Sequence, residues 1–287
     1  MAVIVSIGGM GIALADLNPE DIPDDIAPWI VESGETTAIC RTFNRPVPVP
    51  EEAPLFDAGL LWKVYDNDGD GIRLVLFHGS GRNRPYQMLS LDGGLTQGTA
   101  ILDEDAVTDE PRHFALRAPL HELWTAFLLM RRRGLLVHGL GVLIDGRVHL
   151  FAGRSGAGKS TLARIFEQAG VGEILSDDRL IIRPEGNAFS VYGTPWHGEA
   201  RFESPGSGTL ASIHFLNQST SCRSVALDGA DATARMAAAC FVAGWPRESG
   251  LQSVLDLSAG VVSMIPTRRL DFTPDTSALT PLMEWIR

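Results

Sequence analysis

The alternation of apolar and polar positions separates an amino-terminal part of short strands from a carboxyl-terminal part that mixes strands and helices. Residues 1–116 show no long helical periodicity and carry short β-type runs between Gly, Asp and Asn clusters. The runs at 60–65 and 72–77 flank the polar segment 66–71, which predicts a β-hairpin. Residues 2–14 are apolar and predict a packed strand. We therefore expect a small, mostly β domain over residues 1–116.

A single amphipathic segment follows this region. Apolar residues recur at helical spacing within 119–133, and Gly134 then supplies a stop signal. The apolar stripe consists of Leu120, Leu123, Trp124, Phe127 and Met130. The pattern predicts a helix that bridges two domains over residues 117–133.

Residues 134–287 predict an α/β domain in which strands and helices alternate. A turn at Asp145-Gly146 joins two of its strands, and a second hairpin turns at 184–187. Predicted strands lie at 135–137, 141–144, 148–151, 173–175, 179–183, 188–192, 213–216 and 225–227. Predicted helices follow Gly158 and lie near 231–242 and 251–259.

Composition changes this picture by excluding several classes of protein. The formal net charge is −11 over 287 residues, which argues against nucleic-acid binding because that needs a basic face. No apolar run approaches the roughly 18 residues of a membrane-spanning helix. Cys40, Cys222 and Cys240 lack metal or redox spacing and indicate a reducing compartment. We therefore expect a cytoplasmic protein that binds neither nucleic acid nor membrane.

The clearest chemical signal is a phosphate-binding loop. An apolar run ends at Phe151, residues 153–160 fit G-x-x-x-x-G-K-[ST] at every specified position, and helical spacing resumes at Leu162. In such a loop the backbone N–H groups cradle phosphates, Lys159 reaches the β- and γ-phosphates, and the Ser160 hydroxyl binds Mg²⁺. The predicted ligands are ATP and Mg²⁺. The predicted binding residues are Gly153, Ser155, Gly156, Ala157, Gly158, Lys159, Ser160 and Thr161.

Lysine usage supports this interpretation independently. Only two of the 24 basic residues are lysines, Lys63 and Lys159. One of them occupies the position where a compact ammonium is required and a forked guanidinium fits poorly. The alternative is a glycine-rich turn that matches a short pattern by chance.

An acidic pair, Asp177-Asp178, closes a predicted strand 17 residues after Ser160. One helix and one short strand span that distance, so both carboxylates can return to the phosphate edge. One carboxylate can then hold Mg²⁺ while the other accepts a proton from an attacking hydroxyl. The alternative is an exposed acidic turn before a hairpin.

Together these motifs resemble the catalytic domain of HPr kinase/phosphorylase and its kinase-like relatives. The resemblance covers about residues 134–270 and depends on the order His138-Gly139, then 153–160, then Asp177-Asp178. It implies a P-loop kinase fold related to phosphoenolpyruvate carboxykinase. It also implies Asp177 as the base toward a serine hydroxyl, Asp178 as a Mg²⁺ partner, and His138 near the transferred phosphate. Related enzymes assemble into oligomers, which leaves a homo-oligomer open.

The chain departs from the phosphorylase-type enzyme downstream of the acidic pair. The glycine-rich segment of that enzyme is not found, and residues 193–199 occupy a comparable place, which makes His197 and Glu199 further site candidates. Arg179, Arg235 and Arg247 are candidates for an arginine that completes the site. Residues 209–272 are more similar to HPr-kinase-related proteins found beside peptide-modification genes, including kinases of lasso-peptide precursors.

The hypothesis is therefore an ATP- and Mg²⁺-dependent kinase that phosphorylates a serine-type hydroxyl of a peptide or small protein. One alternative is a small-molecule kinase that acts on free serine or a sugar. The other is a nucleotide-binding sensor without a dedicated acceptor. The acidic pair favours an enzyme over the sensor, whereas the sequence leaves the two enzyme classes open.

Overall fold

The computed structural model describes residues 2–15, 17, 19–59, 61–67, 69–77, 84–106, 114–116, 118–132, 134–242, 247–273, 275 and 278–286. The chain is mixed α/β, with two sheets and five helices in the described residues. It divides into two compact units. One contains Met1–Leu128 and Ala243–Arg247, and the other contains Leu129–Val242 and Glu248–Arg287. The division falls within the predicted bridging helix rather than at either of its ends.

The first unit is built on one sheet with the strand order β3-β1-β2-β4-β9-β8-β7-β6-β5. Neighbouring strands are antiparallel except for the parallel pairs β2–β4 and β4–β9. The strands are β1 (Val3–Ile7), β2 (Met10–Ala15), β3 (Ile30–Val31), β4 (Thr36–Asn44), β5 (Phe56–Asp57), β6 (Trp62–Asn67), β7 (Gly71–Phe77), β8 (Pro85–Leu91) and β9 (Gln97–Leu102).

The local predictions for this unit are mostly confirmed. β6 and β7 form the predicted hairpin, with Asn67 opposite Gly71. Leu60 and Asp68, which belong to that prediction, lie outside the described residues. The single strand predicted over 2–14 is wrong in one respect, because the chain reverses at Gly8-Gly9 and forms the antiparallel pair β1–β2. Helix α1 (Leu120–Arg132) buries Leu120, Leu123, Trp124 and Phe127 of its predicted apolar stripe, whereas Met130 is only partly buried.

The second unit contains the remaining strands and four helices. Its strands are β10 (Leu135–Ile144), β11 (Arg147–Ala152), β12 (Glu173–Ser176), β13 (Arg179–Glu185), β14 (Ala188–Tyr192), β15 (Ser207–Gln218), β16 (Arg223–Ala226) and β17 (Thr267–Phe272). Its helices are α2 (Lys159–Ala169), α3 (Gly229–Ala239), α4 (Arg247–Met264) and α5 (Leu279–Ile286). The strands predicted at 135–137 and 141–144 are one continuous strand, and β17 and α5 have no predicted counterpart.

Five strands of this unit close into a ring. The order β11-β10-β13-β14-β15 is completed by parallel pairing of β15 with β11, so that Ala152 lies opposite Phe215. β12 pairs with β10, while β17 and β16 extend the sheet beyond β15. The ring brings the carboxyl ends of β11 and β15 side by side. The chain segment that follows β11 therefore begins next to the end of β15.

Alternate residues of β11 enter two different hydrophobic cores. Val148, Leu150 and Ala152 belong to a core that also contains Met236 of α3 and Val254, Leu257 and Val261 of α4. Phe151 belongs to a second core with Leu162 and Phe166 of α2 and Leu282 of α5. Because β11 is packed on both faces, the loop that follows it starts from a rigid strand. Among the described residues, no helix combines the length and apolar character needed to cross a bilayer.

A buried polar chain lies between β11 and β15. His149 Nδ1 lies 2.8 Å from Ser212 Oγ, which lies 2.8 Å from His214 Nε2. His214 is fully buried and its ring stacks on Phe151 at a centroid distance of 5.0 Å. Burial lowers the pKa of His214 to about 3, and the charges of His149 and Arg268 act in the same direction.

This histidine predicts that the protein loses stability on mild acidification. In the unfolded chain, His214 binds a proton below about pH 6.5. In the folded protein, it binds one only near pH 3. We expect His214 to lower the free energy of unfolding by about 2 kcal/mol between pH 7 and pH 5. Urea unfolding of wild type and His214→Phe at both pH values measures this difference. The same pair at pH 8 measures the pH-independent cost of the substitution, and an unchanged pH dependence in His214→Phe would contradict the prediction.

Candidate functional site

The predicted phosphate loop connects β11 directly to α2. The residue before the helix, Gly158, has a φ of 102° and provides no side-chain cap. A Cβ atom at this position would lie 2.6 Å from the Phe272 ring, so both the backbone conformation and the packing require glycine. No side chain of the N-cap residue therefore bonds to the first N–H groups of α2. These groups can donate hydrogen bonds to an anion.

Lys159 is held at the mouth of this loop. Its Nζ donates hydrogen bonds to the carbonyl oxygens of Gly153 at 2.8 Å and Arg154 at 3.2 Å. Burial lowers the pKa of Lys159, while the nearby carboxylates of Asp178 and Asp177 act to raise it. The ammonium group is thus placed at the loop, where a phosphate can replace the two carbonyl partners.

Asp177 meets the beginning of α2, as the spacing from Ser160 predicts. Ser160 Oγ donates to Asp177 Oδ2 at 3.4 Å. The Asp177 carboxylate is buried and accepts backbone N–H bonds from Gly198 at 2.9 Å, Ala200 at 3.0 Å and Phe202 at 3.3 Å. These donors fix the carboxylate in one orientation. The alternative of an exposed acidic turn does not describe Asp177.

Asp178 has a different environment from its neighbour. His138 Nδ1 lies 2.7 Å from Asp178 Oδ1 and 3.1 Å from the Asp178 carbonyl oxygen. Arg179 Nη1 donates to Asp178 Oδ2. Burial acts to raise the pKa of Asp178, but the hydrogen bond from His138 and the charge of Arg179 outweigh burial and hold that pKa below its ordinary value. Asp178 is therefore an ionised partner of His138.

Ser176 organises the acidic pair and has no place in the sequence-based site. Its buried hydroxyl accepts the N–H groups of Asp178 at 3.2 Å and Arg179 at 3.1 Å, and donates to the Trp196 carbonyl at 3.2 Å. A serine that accepts the amides two and three residues later forms a local turn. Its position directly before two aspartates at a strand end is the signal that identifies it.

The segment after β14 contributes its backbone to the site. His197 and Glu199 are exposed, and neither lines the cleft that opens beside the phosphate loop. His197 Nε2 lies 4.0 Å from Glu203 Oε2. Gly198, between these two side chains, donates to Asp177, and a Cβ atom there would lie 2.8 Å from Asp177 Oδ2. The visible contribution of residues 198–202 is thus to hold Asp177.

A cleft of about 910 Å³ opens beside the loop. Residues 153–157 line it, together with a face of α3 that includes Asp231 and Arg235. The end of β15 from Phe215 to Gln218 and His138 complete the lining. Gln218 Nε2 donates to the Gly156 carbonyl at 2.8 Å and so ties the end of β15 to the loop. Of the three candidate arginines, Arg179 contacts Asp178, Arg235 lines the cleft, and the side chain of Arg247 lies outside the described residues.

The donor set suits Mg²⁺ bound together with phosphates. In the described part of the chain, no group of three or more His, Cys, Asp or Glu side chains is arranged to hold a metal by itself. Mg²⁺ commonly uses only one or two protein oxygens and takes its remaining ligands from phosphates and water. The Ser160 hydroxyl and the fixed Asp177 carboxylate provide such a pair at the helix end where the phosphates are expected.

Comparison with known proteins leaves the chain without an assigned family. No protein-family model matches it, and a search of the curated proteins finds no match either. The resemblance to HPr kinase therefore remains a prediction based on the motifs between His138 and Asp178.

Proposed function

We propose that the second unit is an ATP- and Mg²⁺-dependent kinase that transfers the γ-phosphate to a serine-type hydroxyl of a peptide or small protein. The observation that carries this proposal is the convergence of the acidic pair on the phosphate loop, with Ser160 Oγ 3.4 Å from Asp177 Oδ2 and Asp178 held by His138. Phosphoryl transfer needs a phosphate cradle, a metal site and a group that accepts the hydroxyl proton. All three fit residues that this unit brings together. The three cysteines are free thiols, which supports a cytoplasmic setting.

The loop amides and Lys159 would bind the phosphates, together with the metal held by Ser160 and Asp177. The loop N–H groups and the Lys159 ammonium stabilise the negative charge of the transferring phosphate. Ser160 and Asp177 would hold Mg²⁺, which when bound neutralises charge on the β- and γ-phosphates. This assignment differs from the one implied by the family resemblance, which gives the metal to Asp178. The Ser160 contact favours the new assignment, because the three amide bonds orient Asp177 and leave to a metal the lone pair that now accepts from Ser160.

His138 is the group best placed to accept the proton of the acceptor. It lines the cleft, whereas Asp177 and Asp178 do not. With Nδ1–H donated to Asp178, the lone pair of the neutral ring is on Nε2. A carboxylate that fixes a histidine tautomer in this way is the arrangement of a base and its orienting partner. We therefore assign the base to His138 and an orienting role to Asp178.

With these roles, every bond and proton that moves in the reaction is accounted for. The acceptor oxygen forms a bond to the γ-phosphorus as the bond from that phosphorus to the β,γ-bridging oxygen breaks. The hydroxyl proton moves to His138 Nε2, and ADP departs with the bridging oxygen. Lys159 lies where it can stabilise the charge on that oxygen.

Transfer of labelled phosphate from γ-labelled ATP tests the proposal. Wild-type protein is incubated with two acceptor pools, peptides encoded by neighbouring genes and free hydroxyl metabolites such as serine and sugars. We expect label on a peptide serine. Label on a metabolite alone would identify a small-molecule kinase. Saturable binding of Mg·ATP without label in either pool would identify a nucleotide sensor and contradict the proposal.

A further inference from the structure

The cleft beside the phosphate loop has a local charge opposite to that of the whole chain. Two arginines line it, Arg154 on the loop and Arg235 on α3, together with one carboxylate, Asp231. The chain carries a formal net charge of −11. A positive cleft in an acidic protein favours an anionic ligand at that place.

Helix α3 presents Arg235 to this cleft from a fixed base. Ala232 and Met236 are buried on one side of the helix, whereas Ala234, Arg235 and Ala238 are exposed and line the cleft. The buried side anchors the helix, and the short alanine side chains leave space around the guanidinium. The Arg235 side chain can therefore extend into the cleft while its backbone stays in place.

The ion pair that Arg235 forms with Asp231 is weak. Its Nε donates to Asp231 Oδ1 at 2.9 Å, and the two side chains are 42% and 41% exposed. Exposed pairs one helical turn apart contribute little because water screens both charges. A phosphate in the cleft offers a guanidinium two parallel charge-assisted hydrogen bonds, which the single bond to Asp231 does not.

The end of the loop that faces this cleft is the end at which a terminal phosphate is expected. Lys159 is the residue that reaches the β- and γ-phosphates in such loops. Its Nζ bonds to the carbonyls of Gly153 and Arg154, which both line the cleft. A γ-phosphate beside Lys159 would therefore border the cleft that Arg235 lines.

We propose that Arg235 is a γ-phosphate-binding residue, which exchanges Asp231 for the terminal phosphate of a nucleoside triphosphate bound at the loop. This inference rests on the proposed nucleotide site and adds how the site distinguishes a triphosphate from a diphosphate. Arg235 acts from α3, so it would contact a part of the phosphate that the loop amides and Lys159 leave free. Asp231 is a positioning residue that holds the guanidinium when the γ-phosphate is absent.

Isothermal titration calorimetry with Mg·ADP and with the magnesium complex of a hydrolysis-resistant ATP analogue tests this role. We expect wild type to bind the triphosphate more tightly. Arg235→Ala should lose about tenfold or more in affinity for the triphosphate and stay within about twofold for ADP. Asp231→Asn, which removes the competing carboxylate, should keep or improve triphosphate affinity. If the ion pair has only a structural role, both variants should instead lose triphosphate affinity to a similar extent.

The matched control is Arg164→Ala, which removes an exposed arginine of α2 outside the cleft lining and should leave both affinities unchanged. Thermal unfolding checks that every variant is folded. Equal affinities of wild type for the two nucleotides, or an unchanged preference in Arg235→Ala, would overturn the role of Arg235 while nucleotide binding stands. A wild-type protein that binds neither nucleotide would overturn the proposed function and this inference with it.

Discussion

Lys159→Ala lowers the rate of phosphate transfer by at least about 100-fold, because it removes a preorganised positive charge from the place where negative charge develops. The ammonium is anchored by the Gly153 and Arg154 carbonyls, so it is already in position before a nucleotide arrives. Steady-state transfer of labelled phosphate measures the loss. Lys159→Arg should recover little, since a planar guanidinium cannot reproduce the compact ammonium inside the loop.

The chain provides an unusually clean control for this substitution. Its other lysine, Lys63, lies in the first unit and pairs with Asp57 at 2.9 Å on the surface. Lys63→Ala changes the net charge by the same amount as Lys159→Ala and should leave transfer unchanged. Equal losses in the two variants would show that overall charge, rather than the loop, controls the reaction. Full activity in Lys159→Ala would remove the phosphate loop from the mechanism.

His138→Gln and Asp177→Asn should both impair transfer, but in ways that the Mg²⁺ dependence separates. Loss of a general base costs about 10²- to 10⁴-fold in rate, and added Mg²⁺ does not restore it. Asp177→Asn replaces one carboxylate oxygen by an NH₂ group, which cannot accept the amide bonds that oxygen receives from residues 198–202. We expect a weaker metal site in Asp177→Asn and partial recovery at high Mg²⁺. Transfer rates across a Mg²⁺ titration measure both effects.

Asp178→Asn separates orientation from proton transfer. This substitution keeps the base but removes the charge that fixes the tautomer of His138. The transfer rate should therefore fall less in Asp178→Asn than in His138→Gln. Thermal melts identify any variant in which the contacts of Asp177 have failed structurally. The family-based assignment of the base to Asp177 would prevail if His138→Gln retained wild-type transfer while Asp177→Asn lost it at every Mg²⁺ concentration.

The local features of the site could be predicted because their signals are contiguous in the sequence. β11, the loop and α2 follow one another without interruption from Arg147 to Ala169. The turn at Asp145-Gly146 uses residues that tolerate positive φ, here 49° and 77°. The spacing from Ser160 to Asp177 predicts that they meet, because one helix and one strand form a simple return path. These parts need no information from distant segments.

The remainder depends on contacts that no local pattern contains. Asp177 and Asp178 are adjacent and chemically identical, so only the fold decides which of them meets Ser160 and which meets His138. The pairing of β11 with β15 joins segments about 60 residues apart and brings the end of β15, which lines the cleft, beside the loop. β17 is hidden because its arginines mask the alternation, although Leu270 and Phe272 are fully buried. The residues adjacent in sequence therefore predict the secondary structure of a position better than its function in the site.

The closed ring also limits how copies of this chain can associate. Sheets join end to end through open edges, but a ring presents none of its own strands in this way. At the ends of the described strand orders lie β3 and β5, each two residues long, and β16, which has four; β12, which pairs only with β10 in the described residues, also has four. Edges this short offer few unpaired backbone groups to a neighbouring chain. We expect any homo-oligomer to form through side-chain surfaces rather than by extending a sheet.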